Sequence, residues 1–520
     1  MPDSLVHSFL EVSAQRRPEA VLVVESSGER AYGQVEERAN RIARALLDQG
    51  TRPGDRVALL CANSSAYIEA YYGILKAGAV VVSLNTQARL ENLVEMLKDC
   101  SPVGVVCGPR QLRQTLGLVG KADLGFVLAL DAKIPPAVVN PSSSTRLLSS
   151  AEVLPAMSPE PPGVAIGDSD RAAIVYTSGS TGRPRGAILR HFNLVANTRS
   201  IVEYLDLSAS ERVMVVLPFH YVYGKSLLNT HVAVGGSVVI ENRFMYPQEA
   251  LNALERTEAT GFAGVPSTFA ILLNKSNLAK RALPSLRYVT QAGGPMSPRM
   301  QRTLHEVLPG KQIFVMYGAT EASARLSYLD PVDLPRKIGS IGKAIPGVEL
   351  TVLRRDGTEA DVDEPGELVA RGTNIMEGYW NAPEETAAVL DERGYHTGDL
   401  VRRDAEGFLY VVGRIREMIK SGAHRISPLE IENVLLQHPA IHEAAVLGHP
   451  DETLGETIGA YVVLDPGSDV VVEEGILEWC RTHLAPYKVP HSLLILEELP
   501  HHSSGKIDKL ALKRRTQSPD

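Results

Sequence analysis

The alternation of two hydrophobic rhythms is what most constrains how this chain folds. Residues 34–50, QVEERANRIARALLDQG, carry apolar side chains at helical spacing and end in glycine. PGDRVALLCA (53–62) then reads as a turn followed by a buried strand, SAYIEAYYGILKAGA (65–79) as a second helix, and VVVSLNT (80–86) as a second strand. Strands and helices that take turns in this way predict parallel sheets covered by helices. At 520 residues the chain exceeds what one ordinary core organises, so two or more domains are expected. The apolar fraction of 44% suffices to fill them. No repeat of fixed period runs through it.

Two breaks interrupt the pattern. PAMSPEPPGVAIGDSD (155–170), rich in proline and small residues, reads as a connector. The second break lies within GRIREMIKSGAHRISPLEIE (413–432). Beyond it, short strands AAVLGHP and GAYVVLD, with helices between and after them, predict a small α+β domain of roughly 100 residues. The expected fold class is α/β, with a large N-terminal domain of helix-covered sheets over 1–413 and a small α+β C-terminal domain over 414–520.

Charge and composition exclude several classes. The net charge is −8, which opposes general nucleic-acid binding. The basic tail KIDKLALKRR is more simply a solvated terminal helix. The first twenty residues lack a basic segment followed by a long apolar stretch, so no signal peptide is evident. No apolar run reaches bilayer length, so no transmembrane segment is expected. Four cysteines are too few for a disulfide framework, and the expected compartment is the cytoplasm. His438 and His442 are separated by Pro439, which spoils a helical metal face, and the adjacent His501 and His502 do not face together. Neither a Gly-x-Ser-x-Gly nucleophile elbow nor a dinucleotide Gly-x-Gly-x-x-Gly loop is found.

One stretch asks for an anion. In AIVYTSGSTGRPRGAILRH (173–191), an apolar run breaks into a loop containing Gly179, Gly182 and Gly186, the hydroxyls of Thr177, Ser178, Ser180 and Thr181, and the cations Arg183 and Arg185. Glycines let the main chain approach a ligand closely, and hydroxyls and guanidinium groups supply donors. A strand entering such a loop with a helix leaving it is a common phosphate grip. The order of residues differs from the usual P-loop, and a plain surface turn is the competing reading.

This loop is followed, in order, by LPFHYVYG (217–224), MYGATE (316–321), GELVARGTNIMEGYW (366–380), YHTGD (395–399), GRIREMI (413–419) and SSGKID (503–508). The series resembles the adenylate-forming superfamily of acyl- and aryl-CoA synthetases, adenylation domains and beetle luciferases, over nearly the whole chain. The resemblance implies a two-step reaction: a carboxylate attacks the α-phosphate of ATP, giving acyl-AMP and pyrophosphate, and a thiol then displaces AMP. It also implies roles. Thr177, Ser178, Gly179, Ser180, Thr181 and Gly182 would hold the β- and γ-phosphates, with Arg185 where the family usually has lysine. Glu321 would ligate Mg²⁺ and Thr320 would contact the α-phosphate. Tyr317, beside Gly318, would stack on adenine; Asp399 would accept the ribose hydroxyls, with Arg414 helping. Lys506 would bridge carboxylate and α-phosphate, and His220 would sit beside the acyl pocket. Arg416 would be the pivot about which a mobile C-terminal domain turns between the two steps. Each residue has a plainer reading: Glu321 as a helix-start acid, Asp399 as a turn residue, Lys506 as an exposed side chain, His220 as a buried histidine paired to backbone.

By the same resemblance the acyl pocket is lined by Val222, Tyr223, Ser226, Gly264, Thr290, Ala292, Met316, Ala324 and Arg325. Amino-acid-activating relatives usually place aspartate at the Val222 position, so a small carboxylic acid without an amine is expected. Free coenzyme A is the expected thiol. A separate acyl or peptidyl carrier protein, with its phosphopantetheine arm, is the alternative, and a non-catalytic nucleotide or acyl-AMP sensor is a third reading.

Overall fold

The computed structural model describes residues 4–135, 144–178, 184–422, 424–465, 472–501 and 507–517. Two large sheets form its frame. One runs in the order Gly378–Tyr379, Pro184–Arg190, Arg171–Ser178, Val80–Ser83, Arg56–Leu60, Gly104–Cys107, Phe126–Ala129 and Arg146–Ser149. The other runs from Lys343–Ala344 through Ser327–Leu329, Gln312–Tyr317, Tyr288–Gln291, Gly261–Gly264, Arg212–Val215 and Ser237–Ile240 to Val21–Glu25 and Gly28–Ala31. Their central pairings are parallel; antiparallel strands close both edges of the second sheet and one edge of the first, whose other edge strand, Arg146–Ser149, pairs parallel.

Alternate residues of these strands serve two cores. Val57, Leu59 and Val81 of the first sheet share one apolar cluster with Val213, Val215, Val238 and Ile240 of the second. Ala58, Leu60, Val80 and Val82 face the opposite way, toward the helix Leu90–Cys100, and Met214 and Val239 face the helices Pro247–Arg256, Pro266–Lys275 and Pro298–Val307. Period-two burial on both faces is what parallel strands between helical layers require. The shared cluster holds the helices Tyr32–Asp48, Ser65–Lys76 and Val222–Val234 between the sheets.

Sequence explains these helices. In Tyr32–Asp48 the buried Val35, Ala39, Ile42, Ala43 and Leu46 recur at helical spacing. Ser64 caps Ser65–Lys76 by accepting from the Tyr67 N–H at 3.2 Å, and all twelve residues of that helix are buried. The two helices touch at Gly73, where an added Cβ would lie 2.8 Å from Ile42 Cγ2 and 2.9 Å from the Ala39 carbonyl oxygen.

A third, antiparallel sheet comprises Val348–Leu353, Gly366–Gly372, Gly394–Arg403 and Leu390–Asp391, with Leu409–Arg414 paired to Gly394–Arg403. The fourth holds His424–Ile426, Ile419–Ser421, Gly455–Leu464, Ile441–Asp451 and Ser492–Ile495. The chain passes from the third to the fourth through a single helical turn, Ile415–Glu417. The mixed α/β architecture, with a large N-terminal part and a smaller C-terminal one, is the fold class expected.

Three local expectations are corrected. The phosphate-type loop leaves a strand but returns as a second strand, not a helix: Arg171–Ser178 and Pro184–Arg190 pair antiparallel, with Thr177 opposite Arg185, and the helix His191–Tyr204 comes only afterwards. β-branched and apolar residues in GAILR let that segment pair as a strand. No helix separates AAVLGHP from GAYVVLD; they form one hairpin, Ile441–Asp451 with Gly455–Leu464, turned at Gly455 with φ 80°. The basic tail helix, Lys509–Gln517, is not wholly solvated: it buries Leu512 against Ala445, Leu447, Tyr461 and Leu499. Among the described residues no helix is long and apolar enough to cross a membrane, and the four cysteines are free and buried.

The frame also buries histidines. His191 Nδ1 accepts from the Val6 N–H at 3.1 Å, its ring edge-on to His7, and His231 Nε2 meets the Tyr288 hydroxyl at 3.1 Å. Burial pushes His7 and His191 down to about 3 and His231 to about 4. The folded values lie below that of an unfolded histidine. Their stability is therefore complete above pH 6.5 and is lost as pH falls toward 3, at about 2 kcal/mol per histidine by pH 5. Thermal melts at pH 7 and pH 5 should show a marked drop in Tm at the lower pH, and an unchanged Tm would contradict neutral burial of these rings.

Candidate active site

The functional candidates gather where parallel strands end. Gly264, Ala292 and Gly318 close or follow the strands Gly261–Gly264, Tyr288–Gln291 and Gln312–Tyr317, and LPFHY follows Arg212–Val215. Carboxyl ends of parallel strands are where open α/β sheets bind ligands.

The segment MYGATE divides the site into two acid-centred groups. In the first, Glu321 Oε1 accepts from the Tyr379 hydroxyl at 2.6 Å, and the Arg185 guanidinium lies 4.8 Å from the Tyr379 ring centre. Pairing of Gly378–Tyr379 with Pro184–Arg190 brings them together, and the Met376 N–H donates to the Glu321 carbonyl oxygen at 2.8 Å. Burial, then the neighbouring Glu321, raises the Tyr379 hydroxyl above its ordinary range, so it stays a donor. Arg185 Nε is buried without a hydrogen-bond partner among the described residues, an orphaned donor at the base of the Gly/Ser/Thr loop that suits an anion. Thr177 Oγ1 lies 3.4 Å from the Arg185 carbonyl oxygen.

In the second group, Asp399 accepts from Arg414 Nε at 2.7 Å through one oxygen and from the Tyr317 hydroxyl through the other. Asp399 and Arg414 are register partners across their strands. Burial, then the Asp399 carboxylate, raises the Tyr317 hydroxyl well above its ordinary range. Each carboxylate oxygen keeps a second lone pair, so both can still accept from a ligand hydroxyl.

Just after Glu321 the backbone is strained. After the turn Thr320–Ala322, Ser323 has φ 60° and Ala324 φ 149°. Asn374 holds this turn: its Nδ2 donates to the carbonyl oxygens of Ala322 and Arg325 at 3.1 and 2.9 Å, and its own carbonyl oxygen accepts from Ser323 Oγ at 2.7 Å. The turn folds back so closely that a Cβ on Gly318 would lie 1.9 Å from the Ala324 carbonyl oxygen.

The remaining pocket candidates also meet. The Tyr223 hydroxyl contacts Thr290 Oγ1 at 2.8 Å, the Arg325 guanidinium lies 4.1 Å from the Tyr223 ring centre, and Arg325 Nε reaches Met316 Sδ at 3.3 Å. Val222 and Ser226 line a cavity of about 10 Å³ with Ser323, room for about one water. His220 is buried, and its Nε2 has no partner among the described residues. Burial, then the Lys225 charge, pushes it down to about 3, so it is neutral. Asn63 braces its loop, accepting from the Phe219 N–H and donating to the Leu217 carbonyl oxygen, both at 2.8 Å. Arg416 is exposed in the turn Ile415–Glu417. Lys506, Gly179, Ser180, Thr181 and Gly182 lie outside the described residues, as does the side chain of Ser178. Sequence reasoning missed Tyr379, although it lies in a quoted motif, and Asn374, whose amide gives no signal apart from its fold.

The site thus presents two acidic poles on one short segment, a geometry suited to a nucleotide, and the chain as a whole has relatives. Residues 10–380 match the model of the AMP-binding enzyme family and residues 430–506 that of the AMP-binding enzyme C-terminal domain; the chain belongs to this family of adenylate-forming enzymes. It is an AMP-forming acid–thiol ligase by class. It is 34% identical, over 96% of its length and 97% of the relative's, to a feruloyl-CoA synthase from Amycolatopsis sp. Its fold is similar to ATP-bound MatB from Rhodopseudomonas palustris (TM-score 0.88, 27% identity, 99% of each chain). It is equally similar to the anthranilate CoA ligase AuaEII in complex with anthranoyl-AMP (TM-score 0.88, 25% identity, 98% of this chain and 97% of that one).

Gly318→Ala should push the turn off Glu321. Because backbone rather than a flexible tip opposes the new methyl, ATP–pyrophosphate exchange is expected to fall at least about 100-fold with a modest change in Tm. Retention of near-normal exchange would show that the contact relaxes freely.

Proposed function

We propose that the protein activates a small carboxylic acid with ATP and transfers the acyl group to coenzyme A. A carboxylate oxygen attacks the α-phosphorus and pyrophosphate leaves; the thiol sulfur then attacks the carbonyl carbon and AMP leaves. The observation that carries this reading is the convergence on one short segment, 316–321, of an acid–tyrosine–arginine group suited to phosphates and an acid–tyrosine–arginine group suited to ribose. The named relatives, a CoA synthase and an acyl-AMP-bound CoA ligase, support the same chemistry.

In this scheme the Gly/Ser/Thr loop and Arg185 neutralise the leaving pyrophosphate, and Thr320 meets the α-phosphate. Glu321 is the carboxylate for a Mg²⁺ ion. Among the described residues no three His, Cys, Asp or Glu side chains are grouped to hold a metal, and a lone carboxylate suits magnesium, which keeps waters and takes phosphate oxygens. When bound, the ion would offset charge on the phosphates. Tyr317 and Gly318 form the adenine wall, and Asp399 with Arg414 holds the ribose. Neutral His220 closes the pocket beside the reacting carboxylate. A carrier protein would present the same thiol as coenzyme A and remains the second reading for the acceptor.

ATP–pyrophosphate exchange across a panel of acids tests this scheme directly; exchange with none of them would overturn it. Lys506→Ala should abolish exchange yet largely spare thioester formation from supplied acyl-AMP, because its charge is needed only while carboxylate and phosphate meet. Equal loss of both half-reactions would remove Lys506 from that role.

Arg416 stands in the only turn between the third and fourth sheets among the described residues. If the C-terminal domain turns there between half-reactions, fixing φ with Arg416→Pro should keep exchange and lose most transfer to the thiol. Unimpaired transfer in a folded variant would rule this pivot out.

A further inference from the structure

Three lysines are buried among the described residues: Lys76, Lys225 and Lys337. Two obey the usual rule that a buried charge is paired. Lys76 Nζ lies 2.6 Å from Glu11 and 2.8 Å from Glu36, and Lys337 Nζ lies 2.7 Å from Asp404 and 2.6 Å from Glu406. Lys225, 2% exposed, has no carboxylate partner among the described residues. It donates to Ser83 Oγ at 2.7 Å, and its Nζ lies 5.0 Å from the Tyr71 ring centre.

Ser83 passes the bond on. Its Oγ lies 3.0 Å from the Tyr67 hydroxyl, which donates to the Phe219 carbonyl oxygen at 3.0 Å. Phe219 immediately precedes His220. The direction of this relay follows from its far end. A carbonyl only accepts, and Tyr67 has one proton, which goes to Phe219; Ser83 must then donate to Tyr67 and accept from Lys225. Burial raises the Tyr67 hydroxyl well above its ordinary range, so that proton stays. Tyr67 and Phe219 are fully buried and Ser83 nearly so, and hydrogen bonds in series at low dielectric polarise one another. On its other side, the Phe219 N–H donates to Asn63 Oδ1 at 2.8 Å. Both polar groups of Phe219 are therefore held, one by Asn63 and one by the relay. His220 Nε2 has no partner among the described residues, so the ring takes its aim from this backbone and from the Tyr221 ring, 4.3 Å away between centres.

We propose that Lys225 is a positioning residue for His220: through Ser83 and Tyr67 it fixes the Phe219–His220 peptide, and with it the imidazole at the acyl pocket. The inference rests on the adenylating reading above, in which His220 closes that pocket. Lys225 belongs to the helix Val222–Val234, Tyr67 to the helix Ser65–Lys76 and Ser83 to the strand Val80–Ser83. The relay thus ties a loop at the strand ends to three buried elements at once, and a group held from several sides keeps the narrow geometry that a reacting centre needs. The Lys225 charge is also felt at His220, where it adds to burial in keeping the ring neutral.

Cutting the relay at each link, alone and together with His220→Ala, decides the matter. The variants are Lys225→Met, Ser83→Ala and Tyr67→Phe, and the readout is ATP–pyrophosphate exchange with the fastest acid of the panel. Each single variant should lose roughly 10-fold in kcat, with KM for ATP unchanged. In the His220→Ala background the same substitutions should change kcat by less than about twofold, because they act only through that ring. Equal losses in both backgrounds would assign the relay a purely structural role and overturn the inference. Full activity in all three single variants, or a loss confined to KM for ATP, would overturn it as well. If Lys225→Met does not fold, Ser83→Ala and Tyr67→Phe carry the test, since they cut the same relay without removing a charge. Exchange unaffected by His220→Ala would overturn the inference and leave adenylation standing. Exchange with no acid would overturn the adenylating reading itself.

Discussion

Two helices without a solvent face govern this structure. Ser65–Lys76 and Val222–Val234 lie between the inner faces of the two large sheets, in one continuous core. Every polar atom on them must find its partner inside protein. Asn229 meets the hydroxyls of Tyr71 and Tyr72, His231 meets Tyr288, and Lys76 reaches two carboxylates on neighbouring helices. Because the layers are locked in this way, the strand ends hold fixed positions, and residues far apart in sequence meet there. Arg185, Glu321 and Tyr379 come from three separate segments and become one group.

Much of this is legible in the sequence, because the signals are local. Helical spacing in 34–50 and short apolar runs such as VVVSLNT depend only on near neighbours, so the layered α/β class can be read directly. The phosphate-type loop reads wrongly as strand–loop–helix because glycine and hydroxyl composition announces a turn without specifying the element after it. Strand pairing across the turn is a tertiary choice, made by the partner sheet. The pocket residues named by resemblance do adjoin one another, as Tyr223, Thr290, Met316 and Arg325 show. Lys225 escapes notice because a lysine in GKS reads as exposed; only the all-round burial of its helix makes it conspicuous. Asn374 escapes because a bracing amide acts through backbone oxygens that have no sequence signature.

The two acidic poles divide the chemistry by geometry rather than by residue type. Both pair a carboxylate with a tyrosine hydroxyl and an arginine, yet the roles proposed for them differ. Around Glu321 the guanidinium keeps a donor with no partner among the described residues, so the group has positive charge to spare for phosphates. Around Asp399 the arginine is spent on the carboxylate, and what remains are acceptor lone pairs for sugar hydroxyls. The strained turn at Ser323 and Ala324 follows Glu321 and folds back over Gly318, with Asn374 as its brace.

Arg414 ends the strand Leu409–Arg414, and the chain enters the C-terminal sheet at Ile419. Its partner Asp399 lies directly across the ladder. The pole proposed for the ribose is therefore also the root of a lever whose long arm is the whole C-terminal body. A load on that body is delivered first to the Asp399–Arg414 rung, at the end of the ladder, where it acts as a peel and not as a shear. An occupant only a few ångströms across, by tightening or loosening one rung, would set the stiffness of the entire arm.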